Sequence, residues 1–80
     1  MDLEEFTRTA KLKEELLVAL EKEMAIKNIS QGEVARRIGA LRRNINQIMG
    51  RKKNVTLDFL VKMAESIGLN VKMRIKKLKP

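Results

Sequence analysis

Residues 30–50 read SQGEVARRIGALRRNINQIMG, and their interpretation decides the fold. Ser30 and Glu33 stand in the S-x-x-E spacing of a capping box, which satisfies orphan amides at a helix start. Val34, Ala35 and Ile38 then recur at helical spacing. Gly39 follows at once, and glycine suits the left-handed residue that closes a helix. After Ala40 and Leu41 a second apolar stripe begins, formed by Ile45, Ile48 and Met49. Arg42, Arg43, Asn46 and Gln47 fall largely off that stripe. Two short helices joined by a tight turn make a helix-turn-helix. The second helix carries side chains able to read base edges. Arginine pairs both forks with guanine O6 and N7, and Asn or Gln does the same with adenine.

Composition bounds the answer. The chain has 80 residues, enough for one small domain. A domain of this size buries only roughly 60% of the surface of its unfolded chain, so association with a second copy is a usual remedy. The formal net charge is +8, which favours a polyanionic partner. That charge is uneven: residues 1–30 carry net −2, residues 31–55 net +6 and residues 56–80 net +4. The excess therefore lies on the helix-turn-helix, the loop after it and the tail. The chain has no cysteine and no histidine. Disulfides, thiolate or imidazole metal sites and the usual nucleophile–base pairs are thereby excluded. No apolar run resembles a signal peptide or a membrane span, so the expected location is the cytosol.

Residues 1–10 read as an N-terminal arm or a short helix, and Asp2, Glu4 and Glu5 make them unsuited to DNA. Residues 11–27 form a helix whose Leu12, Leu16, Leu20 and Met24 lie four apart, with Leu17 widening the stripe. Glu14, Glu15 and Glu23 read as a solvated face, because general acid–base work needs a pocket and a perturbed pKa. Asn28 can end this helix, and Ile29 precedes the Ser30 cap. Residues 51–55, RKKNV, form a basic loop leaving the second helix. Arg51, Lys52, Lys53 and Asn54 are candidate phosphate contacts, which set affinity and register without reading sequence. Thr56 caps the next helix, Asp58 suits its dipole, and Leu57, Leu60, Val61, Ala64 and Ile67 give it an apolar face. Gly68 closes it.

From residue 69 the period changes. Leu69, Val71, Met73 and Ile75 alternate with polar residues, the pattern of a half-buried strand. A lone strand leaves its ladder groups unpaired. The expected repair is antiparallel pairing with the same strand of a second chain. Residues 69–80 are then a dimerising strand and a basic tail, and residues 11–68 the DNA-binding domain. No phosphate-cradling glycine spacing exists, and no cofactor or catalytic residue is expected.

The stretch from Ile29 to Leu69 resembles the lambda-repressor-like, or XRE-type, helix-turn-helix family. The resemblance rests on Gln31, Ala35, Gly39, Ile45 and Ile48, followed by Thr56, Leu57, Leu60, Ala64, Gly68 and Leu69. It implies a mainly α domain of four to five helices. It implies phosphate contacts from Ser30 and Gln31, base contacts from Arg42 and Arg43, and further contacts from Asn44, Asn46 and Gln47. Three positions depart from the pattern. Leu41 stands where Ser or Thr commonly caps the recognition helix, and Met49 and Arg51 stand where Glu and Gly are common. The short length and basic terminal strand look like the HigA-like and HipB-like antitoxins. That resemblance implies a dimeric repressor of its own operon that also neutralises a protein toxin. The alternative is a stand-alone phage-type or metabolic repressor without a toxin partner.

Overall fold

The computed structural model describes residues 3–72, with side chains from residue 10 onward. Four helices make up this part: α1 (Leu3–Lys27), α2 (Gln31–Ile38), α3 (Arg42–Met49) and α4 (Leu57–Ser66). The α1 helix starts eight residues before the expected boundary at residue 11. The sequence holds no glycine or proline before Gly32, so nothing stops the helix there.

One core joins all four elements. Leu17, Leu20 and Met24 of α1 meet Val34 and Ala35 of α2, Ile45, Ile48 and Met49 of α3, and Leu60, Met63, Ala64 and Ile67 at α4. Helix α2 packs on α3 and α4, while α1 packs on α4. The expected stripe on α1 is rotated. Leu12 is 47% exposed and Leu16 only half-buried, whereas Leu17 and Leu20 are buried. On α4 the fully buried residue absent from the expected face is Met63, and Leu57 and Val61 lie on its flank. Leu12, Leu16, Leu57, Val61 and Val71 instead line an open groove of about 440 Å³.

All four helices end by one device. Each is followed by a left-handed residue: Asn28, Gly39, Arg51 and Gly68, with φ of 54°, 70°, 57° and 90°. In each case the next amide reaches back five residues. The Ile29 N–H donates to Met24 O at 2.9 Å, Ala40 to Ala35 at 2.9 Å, Lys52 to Gln47 at 2.8 Å, and Leu69 to Ala64 at 3.0 Å. This is the Schellman closure, which satisfies carbonyls left over at a helix end.

Among the described residues there is no β-strand. Residues 69–72 are irregular, and Leu69 and Val71 pack half-buried against the domain's own core. The expected strand residues Met73 and Ile75 lie outside the described residues.

Candidate nucleic-acid interface

The two helices of the motif start differently. At α2 the Ser30 hydroxyl accepts the Glu33 amide at 3.1 Å, and Glu33 places a carboxylate in the first turn. Thr56 does the same for the Phe59 amide of α4 at 3.2 Å, and Asp58 lies in that first turn. Helix α3 has neither aid. Leu41 occupies its N-cap position in extended conformation without a side-chain hydrogen bond, and no acidic residue lies in the first turn. Two cations, Arg42 and Arg43, stand there instead. A helix start favours anions, so this arrangement is locally unfavourable for the isolated chain. Leu41 itself is 70% exposed.

The expected capping box is only half formed. Ser30 accepts as expected, but the Glu33 carboxylate turns away from the Ser30 amide. It accepts Arg36 Nε and Nη2 at 2.9 and 2.6 Å and Arg37 Nε at 3.0 Å. Hydrogen bonds from Arg36, then Arg37, hold the Glu33 carboxyl below its ordinary value. A bidentate guanidinium outcompetes a single amide for a carboxylate. Arg37 also donates to Ser66 O at 2.9 Å, and Lys27 Nζ to Ile67 O at 2.6 Å, so two cations meet the carbonyl end of α4.

The candidate base-reading residues divide by position. Arg43, Asn46 and Gln47 are exposed and share the face of α3 opposite Ile45, Ile48 and Met49. Arg42 is exposed on one flank, close enough to α2 that a Cβ on Gly32 would lie 3.6 Å from its Cδ. Asn44 is half-buried on the other flank and accepts Lys53 Nζ at 3.3 Å. No ion pair among the described residues takes Arg42 or Arg43.

The candidate phosphate residues divide too. Ser30, Lys52, Lys53 and Asn54 are exposed and Gln31 is half-buried at the first position of α2. Asn54 Oδ1 accepts the Val55 amide at 3.1 Å and Lys13 Nζ at 3.4 Å. Arg51 is held within the chain itself. Its Nε and Nη2 donate to Glu14 at 3.1 and 2.8 Å, and its Nη1 donates to Glu21 and to Met49 O, both at 2.6 Å. These carboxylates hold its pKa well above the ordinary value, and Arg51 holds that of Glu14 below. Sequence periodicity assigned Glu14 to a solvated face; a charge pairing across 37 residues leaves no local signal.

The described residues hold no cluster of acidic side chains able to bind a metal, and none of the helices is long and apolar enough to cross a membrane. No curated protein and no solved structure is similar enough to match. The family described as "Helix-turn-helix domain" matches residues 2–76. That match spans nearly the whole chain, includes all four helices, and agrees with an α2–turn–α3 unit whose second helix exposes Arg43, Asn46 and Gln47. The chain therefore belongs to the helix-turn-helix domain family, whose fold is that of a DNA-binding regulator.

Proposed function

We propose that the protein is a sequence-specific transcriptional repressor, acting as a homodimer on a near-palindromic operator, and the antitoxin of a toxin–antitoxin module that represses its own operon. The observation that carries the DNA-binding core of this reading is the start of α3. Of the described helix starts, those of α2, α3 and α4, it is the one with no side-chain cap and no first-turn acid, and its Arg42 and Arg43 have no carboxylate partner among the described residues. An N-terminus left positive in this way is completed by a polyanion. Arg43, Asn46 and Gln47 then meet base edges, with Arg42 and Asn44 flanking them. Ser30, Gln31, Lys52, Lys53 and Asn54 engage phosphates; Arg51 is left out because its guanidinium is occupied.

The partner half of the reading is supported by the groove between α1 and α4. It is apolar, it is open, and the chain crosses it at Val71. A face of this kind suits a second copy or a protein toxin. Selection of duplexes from a random pool tests the core: enrichment of a near-palindrome is expected, and salt-independent or sequence-blind binding would sink it. Co-expression with the neighbouring reading frame tests the toxin; purification of the homodimer alone would favour the stand-alone repressor.

A further inference from the structure

We infer that Arg51 is a positioning residue of the DNA interface, held by Glu14 and Glu21 of α1 so that the turn after α3 aims Lys52 and Lys53. The inference rests on the DNA-binding reading above. Arg51 has φ +57°, a conformation that side chains other than Gly, Asn and Asp rarely adopt. Among the four left-handed closing residues it is the one whose type resists the conformation. Its backbone is nonetheless needed there. The Arg51 amide donates to Ile48 O at 3.1 Å and the Lys52 amide to Gln47 O at 2.8 Å, which closes α3.

The side chain supplies the compensation. Four donor contacts, to Glu14 twice, to Glu21 and to Met49 O, fix the guanidinium against α1 and against the end of α3 itself. Glu14 and Glu21 lie on one face of α1, seven residues apart, so a single side chain bridges two helical turns. The acidic pair thus belongs to the DNA-binding machinery without facing DNA. Lys52 and Lys53, exposed just after the turn, inherit their direction from it.

The test exploits the backbone. Glycine adopts φ +57° at no steric cost, whereas alanine without an anchor adopts it only at a penalty. Arg51→Ala is expected to weaken binding to a duplex selected by the wild-type protein by roughly tenfold. Arg51→Gly is expected to stay within about twofold of wild type, with the same dependence on salt. Glu14→Gln with Glu21→Gln should weaken binding when Arg51 is present and do nothing when combined with Arg51→Gly. A phosphate contact instead predicts equal losses for Ala and Gly, with the log–log salt slope flatter by about 0.9 in both, and that result overturns the inference. Wild-type binding by Arg51→Ala overturns it too. Hydrogen exchange of the Lys52 amide gives a readout without DNA: protection in wild type and Arg51→Gly, and its loss in Arg51→Ala, support the inference, and equal protection in all three refutes it. If the pool yields no duplex, the DNA-binding reading fails and the exchange result alone judges the turn.

Discussion

Arg36 and Arg37 are engaged by Glu33, and Arg51 by Glu14 and Glu21, while Arg42 and Arg43 have no such partner among the described residues. Residue type alone does not separate these groups; the position of a carboxylate does. Arg43→Ala should therefore cost about 1–3 kcal/mol at one operator position and relax base preference there. Arg36→Ala should leave base preference intact, and titrations of single-base operator variants check both. Two of these carboxylates, Glu14 and Glu33, make stability depend on acid. Glu14 and Glu33 are held below their ordinary 4.5, chiefly by hydrogen bonds from Arg51 and Arg36 respectively. A depressed folded-state pKa contributes stability above the unfolded value and loses it as pH falls through the folded one. Melting temperature should thus hold steady down to about pH 4.5 and decline below it. Glu33→Gln should show a shallower decline, and because both groups are exposed, added salt should reduce the difference.

At the scale of elements, the helix ends that local chemistry writes were legible. Ser30 and Thr56 announce the starts of α2 and α4, and Gly39 and Gly68 announce their closures. The start of α1 was not, because residues 3–10 have weak periodicity and no breaker. Nor was the rotation of its stripe, since Leu12, Leu16 and Leu17 are equally apolar and only the position of α4 chooses among them. Leu41→Ser should supply the missing cap of α3 and stabilise the fold by about 1 kcal/mol, measurable as a raised urea midpoint. Gly39→Ala and Gly68→Ala probe the closures. A Cβ at Gly39 meets open space, so the cost is conformational alone, roughly 1–2 kcal/mol. At Gly68 the Cβ would lie 2.6 Å from Lys27 Nζ and displace its bond to Ile67 O, so Gly68→Ala should cost more.

For the whole molecule, the groove bounded by Leu12, Leu16, Leu57, Val61 and Val71 is one place among the described residues where the domain leaves apolar surface open. Alternation in the sequence pointed to the region of Val71 as a pairing strand, but alternation cannot say whether such residues pack on their own chain. Leu69 and Val71 do pack there in part. The exposed face of α3 was legible because an amphipathic helix sorts its own residues. The pairing of Arg51 was not legible because its carboxylates come from α1. If the groove and the chain beyond Val71 form a two-fold interface, two α3 helices face major grooves about 34 Å apart. Val71→Asp should then give a monomer by sedimentation and a much weaker operator complex. Dimer mass and affinity unchanged by that variant would place the interface elsewhere.

The closures flanking α3 also govern its tolerance of insertions and deletions. The helix has eight residues, about 12 Å of rise, bounded by the extended backbone at Leu41 and the reversal at Arg51. One added or missing residue between these limits turns everything beyond it by about 100°, bringing Ile45 or Ile48 toward water and Gln47 toward the core. If α3 reads DNA as proposed, substitution can change the sequence it reads, but its length admits no single-residue edit, so new specificities are reached by replacement alone.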